Sequence, residues 1–321
     1  GEGFAIDGSS IIFSAAPATG SDFFIITIGA SVNIGTPSDN TVDTDIIQNL
    51  AVTTAKIAAD AVDGTKIADD AVNVEHIASG SKLVTTDAQN NTVVGTNAGD
   101  SFTGTDATNN TLLGYNAGTA ITTGDYNVAL GSGSFIDNST GSGNIAIGYV
   151  ALSNNTTGEN NIAVGYGSLE TNTTASYNVA IGKNSLYANT TGNYNSAVGN
   201  TSLDANTTGD HNCAFGQTAL GANTTASSNS AFGSNAMADN TTGTDNCAFG
   251  NAALISNTTA NNNSAFGKSA LAANTTGIYN VAVGHNALDA NTTGGLNIAI
   301  GPHALGANTT ASNNVAVGYS S

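Results

Sequence analysis

Residues 178–194 read NVAIGKNSLYANTTGNY, and this 17-residue pattern recurs along most of the chain. Its opening motif, Asn-x-Ala-Φ-Gly with Φ as Val, Ile, Leu or Phe, occurs twelve times with a constant 17-residue spacing. These copies begin at Asn127, Asn144, Asn161, Asn178, Asn195, Asn212, Asn229, Asn246, Asn263, Asn280, Asn297 and Asn314. Looser copies begin at Asn91 and Asn110. A fixed period of this kind indicates a solenoid whose repeats stack on one another.

The order of residues inside one repeat predicts how a single coil is built. Val179 and Ile181 are two apart and share one face of a strand, while Ala180 takes the other face. We assign the Ile181 side to the interior, and the small Ala180 side to close approach by neighbouring chains. Leu186 predicts a second short strand. Gly182 and the group at 189–192 predict a tight and a wider turn.

Stacked coils would place identical residues in columns along the axis. A parallel solenoid pairs each strand with those of the coils before and after it, so Asn side chains are expected to bond in a ladder. Fourteen coils at about 4.8 Å give a shaft of roughly 65 Å. The predicted ladder residues are Asn144, Asn161, Asn178, Asn195, Ile181, Val198, Leu186 and Leu203.

Two other structural classes fit the sequence poorly. Gly, Asn and Thr recur every few residues and no apolar stripe with helical spacing persists, which argues against helices. Low complexity favours disorder, but two apolar columns return in one register, one at the phase of Ile181 and one at that of Leu186. The sequence therefore predicts an all-β protein, a parallel β-roll or β-solenoid of 17-residue coils.

Composition bears on partners and on oligomerisation. Charged residues make up 9% of the 321, the formal net charge is −18, and no basic run is present, so we expect no nucleic-acid partner. No stretch of the sequence resembles a membrane span, so we expect no membrane insertion. One coil offers only two bulky apolar side chains, whereas ordering its backbone costs roughly 1–2 kcal/mol per residue. We therefore expect several rolls to bundle, most simply as an elongated homotrimer.

The two cysteines, Cys213 and Cys247, are two repeats apart. Their Cα atoms should lie roughly 10 Å apart, too far for an intrachain disulfide. We interpret both as small core residues, with a bond between chains across a symmetry axis as the alternative.

The repeat resembles known fibrous proteins. The pattern Asn-x-Ala-Ile-Gly followed by Ala-Leu resembles the head repeats of trimeric autotransporter adhesins, which implies a trimeric left-handed β-roll over residues 91–321. Those heads typically use a shorter repeat, and the extra residues here fall in the Asn-Thr-Thr-Gly turn. The decapeptide repeat of residues 51–80 and the segments at 7–17 and 20–26 are similar to tail-fibre proteins of marine bacteriophages, cyanophages especially.

These features predict three parts. Residues 1–40 are expected to form a small β domain with strands at 11–13 and 23–28, residues 41–85 a decapeptide-repeat stalk or linker, and residues 86–321 the repeat shaft. The stalk could be a series of N-capped helical turns or an extended segment; in either case Ile57, Ile67 and Ile77 would face the trimer axis.

Residues with potential chemistry do not assemble into a recognisable site. His76, His211, His285 and His303 stand at different repeat phases, so we predict no metal or catalytic site and no cofactor. Asp204 and Asp289 share a phase and are interpreted as a solvated turn face.

The recurring Asn-Thr-Thr from Asn155 to Asn308 is formally an N-glycosylation acceptor and is interpreted as a turn. Its Thr rows also resemble ice-binding solenoids, although these Thr lie in a Gly-bounded turn.

The expected function is structural. The leading hypothesis is the shaft of a phage tail fibre, located in the virion, that presents a receptor-binding end to a bacterial surface glycan or protein. The alternative is a bacterial surface adhesin or extracellular filament subunit. In either case the partners are copies of itself and other tail or filament components. A polysaccharide-degrading solenoid enzyme would need an acid–base site that the sequence lacks.

Overall fold

The computed structural model describes residues 4–7, 10–13, 19, 88–102 and 106–321 of a chain that divides into two compact units, Gly1–Ser81 and Lys82–Ser321. In the first unit, strands β1 (Phe4–Asp7) and β2 (Ser10–Phe13) pair antiparallel. The strand predicted at 11–13 lies within β2. The strand predicted at 23–28 and the decapeptide repeats lie outside the described residues, so the small β domain, the stalk and the three-part division stay predictions.

The second unit is built around one parallel sheet of fourteen three-residue strands that follow one another in chain order from β3 to β16. The strands are β3 (Thr92–Val94), β4 (Thr111–Leu113), β5 (Val128–Leu130), β6 (Ile145–Ile147), β7 (Ile162–Val164), β8 (Val179–Ile181), β9 (Ser196–Val198), β10 (Cys213–Phe215), β11 (Ser230–Phe232), β12 (Cys247–Phe249), β13 (Ser264–Phe266), β14 (Val281–Val283), β15 (Ile298–Ile300) and β16 (Val315–Val317). The described residues contain no helix.

Pairing in this sheet joins residues of the same phase. Val164 pairs with Ile181, and Ile181 pairs with Val198. Each strand step therefore equals one 17-residue repeat, apart from a slightly longer step between Thr92 and its partner Thr111. The predicted parallel β-solenoid of 17-residue coils is confirmed, and thirteen steps of about 4.8 Å give a length of roughly 62 Å.

The assignment of strand faces from the sequence is wrong. Ala180 is 0% exposed and belongs to the core, whereas Ile181 is 40% exposed. The same inversion recurs along β5–β14, where the middle Ala of each strand is buried and the residues beside it are not. The reason is space: a 17-residue coil encloses a narrow interior that the Leu column already fills, so the strand can contribute only a methyl group to it.

The second predicted strand is also wrong, because the segment that carries Leu186 is a succession of turns. The backbone of Leu186 is left-handed, with φ of 52°, and its side chain is fully buried. A left-handed conformation costs a non-glycine residue about 1–2 kcal/mol. Burial of a Leu side chain contributes about 1.5–3 kcal/mol, which offsets that cost. The column of buried Leu residues, with Met237 as one member, thus packs against the Ala column.

The glycine that ends each strand is required by both backbone conformation and space. Gly165 has φ of +133°, and a Cβ atom there would lie 2.5 Å from the carbonyl oxygen of Gly182 in the next coil. Adjacent coils therefore approach too closely at this phase for any side chain.

Candidate functional site: the side-chain ladders and the outer sheet face

The Asn that precedes each strand forms a continuous ladder, which we call the strand ladder. The Oδ1 atom of Asn144 accepts hydrogen bonds from the backbone N–H of Asn161 at 2.9 Å and from its Nδ2 at 3.2 Å. Asn161 bonds in the same way with Asn178, at 3.0 and 3.3 Å. The backbone N–H of Asn195 donates to Asn178 at 2.9 Å. All four predicted Asn residues are fully buried, so this ladder supplies interior hydrogen bonds that water cannot replace.

A second ladder, the turn ladder, runs through the Asn of each Asn-Thr-Thr group. Asn155 Nδ2 donates to Asn138 Oδ1 at 2.9 Å, and Asn172 Nδ2 donates to Asn155 Oδ1 at 2.7 Å. The members from Asn138 to Asn291 are 0% exposed. Interpreting Asn-Thr-Thr only as a turn missed this ladder. The signal in the sequence was its invariant Asn, which a solvent-facing turn does not require.

The two ladders meet at one carbonyl group and close each coil. The backbone oxygen of Gly158 accepts from Asn144 Nδ2 at 2.9 Å and from Asn155 Nδ2 at 3.0 Å. Both donors belong to the same coil as Gly158. Because a carbonyl oxygen has two lone pairs, it can accept both bonds, and the start and the end of the coil are clamped to one atom.

The burial of the turn ladder bears on the glycosylation motif. Asn155 Nδ2 already makes two hydrogen bonds in the folded solenoid, and its side chain is fully buried. A glycan on this nitrogen is sterically incompatible with the folded coil. The two Thr residues that follow have different environments: Thr156 Oγ1 donates to the carbonyl of Thr173 at 3.0 Å, while Thr157 is exposed.

The outward side of the sheet, which we call the outer sheet face, consists of the first and third residues of strands β3–β16. It carries the predicted apolar column of Ile181 and Val198, which stack as neighbours but lie outside the core. Leu186 and Leu203 of the other predicted column are both fully buried. No strand residue from β3 to β16 is charged, although the whole chain carries a formal net charge of −18.

Four consecutive Phe residues occupy the third strand position in β10–β13. Ring centroids are 5.0 Å apart for Phe215 and Phe232, 4.5 Å for Phe232 and Phe249, and 5.2 Å for Phe249 and Phe266, with interplanar angles of 6°, 9° and 9°. Phe215, Phe249 and Phe266 remain 37–40% exposed. The outer sheet face thus carries a stacked aromatic strip that the solenoid's own core does not use.

Cys213 and Cys247 also belong to the outer sheet face, as first residues of β10 and β12. Both are free and partly exposed, and Ser230 of β11 pairs with each of them and so separates them. Their interpretation as core residues is wrong, because this phase points away from the Ala and Leu columns. Partial burial raises the pKa of both thiols, which keeps them protonated at neutral pH.

The acidic residues do not form a pair. Asp204 and Asp289 are five coils apart, which corresponds to about 24 Å along the axis. Asp204 is half-buried, and burial raises its pKa despite opposing hydrogen bonds from the backbone N–H groups of Asp204 and Ala205. Burial likewise raises the pKa of Glu170.

Two histidines do approach one another, contrary to the expectation from their phases. The rings of His285 and His303 lie 5.3 Å apart in a T-shaped arrangement on adjacent coils. Among the described residues, no group of three or more His, Cys, Asp or Glu side chains is arranged to hold a metal ion. The fourth histidine, His76, lies outside those residues.

The fold and its surfaces define a parallel β-solenoid repeat protein. Comparison with protein-family models, with curated proteins and with solved structures finds no match to the chain. In the part of the chain that the structure describes, no helix has the length and apolar character needed to cross a membrane.

Proposed function

We propose that this protein is the shaft of a bacteriophage tail fibre, assembled as a homotrimer in the virion and presenting a receptor-binding end to the host surface. The observation that carries the proposal is the unbroken sheet of fourteen parallel strands, with its two buried Asn ladders. Every inner coil bonds to both neighbours through backbone and side chains, so bending or stretching must break many bonds at once. A rod built this way transmits force over its length, which is what a fibre shaft must do.

The site chemistry supports a mechanical role. The buried side chains of the described coils are chiefly those of Asn, Ala and Leu, and they stabilise the fold. The two carboxyl groups with raised pKa, Glu170 and Asp204, are two coils apart, which corresponds to about 10 Å along the axis.

A bacterial surface adhesin or filament subunit is the second candidate, because the Asn-x-Ala-Φ-Gly repeat resembles adhesin heads. The two functions differ in where the protein is found. Gold-labelled antibodies against the repeat region, applied to purified virions and to intact host cells, should mark fibres on the virions. Labelling confined to the cell envelope would favour the adhesin and overturn the proposal.

A further inference from the structure

The outer sheet face is a surface of uncharged residues whose area lies at the upper limit of the apolar patches that soluble monomers expose. It is roughly 62 Å long and about 10 Å wide, which amounts to some 600 Å². The largest apolar patch on a typical soluble monomer is about 300–600 Å², and a standard interface buries about 800 Å² per partner. The face therefore nearly reaches interface size before its exposed flanking residues, such as Tyr166 and Tyr177, are counted.

The lack of charged residues in the strands limits which kind of partner can bind the outer sheet face. The chain carries a net charge of −18, yet the strand residues of β3–β16 include neither an acid nor a base. A basic partner would be recognised by carboxylates on this face, and those are missing from its strands. An uncharged partner surface with the same repeat along its length fits better, and another copy of this chain provides one.

The sizes of the two outward residues on each strand compensate for one another. In β10–β13, where the third residue is Phe, the first is always Ser or Cys. In β5–β8 and β14–β16, where the third residue is Val, Ile or Leu, the first is always Val or Ile. Strand β9, between β8 and the Phe strands, carries Ser196 and Val198, and the two strands that open the sheet, β3 and β4, begin with Thr.

Compensation of this kind points to a packed surface. Water does not require the summed volume of two neighbouring side chains to stay constant, whereas a packed interior tolerates volume-conserving exchanges best. One strand therefore presents a large and a small side chain side by side. These two side chains fit against another copy of the chain only if the facing strand of that copy carries the same pair at the same level along the axis. The Phe of one copy then fits over the Ser or Cys of the next.

We propose that copies of this chain associate through the outer sheet face, parallel and in register, so that each coil packs against the same coil of its neighbour. This rests on the proposed fibre function and specifies its interface. The Phe strip of β10–β13 is the most tightly packed segment. The alanine column, which the sequence had suggested for this contact, lies inside each roll instead.

A charge test uses two exposed side chains of one coil. Ile181→Asp places a carboxylate on the outer sheet face, whereas Tyr187→Asp places one after the buried Leu186, on a turn segment outside that face; the two side chains are 40% and 37% exposed. We expect light scattering to give an oligomeric mass for the wild type, with association weakened at least tenfold by Ile181→Asp and unchanged by Tyr187→Asp. Circular dichroism should show that both variants keep the parallel-β signal. A monomeric wild type, or equal effects of the two variants, would overturn the inference.

A volume test addresses packing directly. Ser264→Val beside Phe266 should weaken association at least tenfold, and adding Phe266→Val should restore it, because the pair then matches β14. A solvent-facing pair predicts no loss and no rescue. Absence of either effect would contradict packing at this height.

The register is tested with the native thiols. Cys213→Ser and Cys247→Ser each leave one thiol per chain. A short thiol-to-thiol crosslinker should produce covalent dimers in both variants if copies are parallel and in register. Dimers from the wild type but from neither variant would indicate antiparallel packing about Ser230 and overturn the in-register arrangement.

The outcomes separate this inference from the fibre proposal. A monomeric chain that is nevertheless found on virions overturns the interface and the homotrimer, and leaves the location of the protein in the tail fibre standing. An oligomer that forms through this face but is absent from virions overturns the fibre function and leaves the interface standing.

Discussion

At the scale of single residues, the solenoid depends on a few positions at which chemistry allows no substitute. The clamp on the Gly158 carbonyl needs two primary amides at fixed distances along the coil. Only Asn has the length and the paired donor and acceptor to bond within its own coil and to the next one. This is why Asn recurs at two phases while the surrounding surface residues vary.

Replacing an Asn of the strand ladder should destabilise the rod. Asn178→Ala removes the acceptor for the backbone N–H of Asn195 and the donor to Gly192, and leaves buried polar groups unpaired. Each such group costs about 1–3 kcal/mol, so the free energy of unfolding should fall by at least that amount. Asn200→Ala, on the exposed surface, is the matched control. Equal denaturant midpoints for the two variants would contradict the ladder.

The same chemical change at two glycine phases should have different effects. Gly165→Ala must adopt a positive φ and meets the Gly182 carbonyl, so we expect a loss of at least about 1–2 kcal/mol. A Cβ at Gly192 also meets a carbonyl group, that of Gly209, but Gly192 does not have a positive φ and the chain itself carries Ala175 at this phase, so Gly192→Ala should cost less than Gly165→Ala. Thermal unfolding of both variants measures the difference. A tolerated Gly165→Ala would argue against the close approach of coils.

The carboxyl group of Asp204 gives a pH dependence with a defined sign. Burial raises its pKa in the folded state above the model value of 3.8, so the folded chain holds the proton more tightly than the unfolded chain. This contribution to stability is present at low pH and is lost as pH rises through the window between the two pKa values. Asp204→Asn should therefore raise the unfolding temperature at pH 7 more than at pH 3. The control is Asp239→Asn, which removes the carboxyl group of an exposed Asp residue. An equal gain in unfolding temperature from this control would assign the effect to net charge alone.

At the scale of one coil, the sequence predicted the period, the strand and the parallel stacking, because these follow from spacing alone. It did not predict which face of the strand is buried. Val179, Ala180 and Ile181 alternate equally well in either orientation, and only the volume inside a coil decides between them. The sequence also did not predict the turn at Leu186. A Leu residue rarely adopts the left-handed backbone conformation, and no residue type in this segment indicates that it does so here.

The buried Leu column sets the stability of each coil. Leu203→Ala should lower the free energy of unfolding by about 2–5 kcal/mol, because the narrow coil cannot collapse around the cavity. Leu203→Met should cost less than about 1.5 kcal/mol, since Met237 already occupies this phase two coils away. Denaturant titration of both variants provides the comparison. Equal costs would mean that shape, rather than volume, governs the column.

At the largest scale that the structure describes, the second unit is a one-dimensional stack in which each strand of the sheet contacts only the strands of the neighbouring coils. Its stability is therefore nearly additive along the axis, and a damaged coil weakens the rod locally. The sequence assigned the contact between chains to the Ala column, which the structure buries, and so it did not predict the outer sheet face as the proposed contact surface. The proposed parallel association would give this narrow rod a second core, shared between copies.

The central claim, that each 17-residue repeat closes one coil and advances the chain by one strand, is tested most directly by distances along one exposed column. Spin labels on Thr157 paired in turn with Thr225, Thr242 or Thr276, in a chain without Cys213 and Cys247 and diluted with unlabelled copies, span four, five and seven coils. Pulsed electron resonance should give narrow distributions whose means grow by about 4.8 Å per coil, from about 19 to 24 to 34 Å. Means that do not rise linearly with coil number, or broad distributions at all three separations, would contradict the stacked-coil structure.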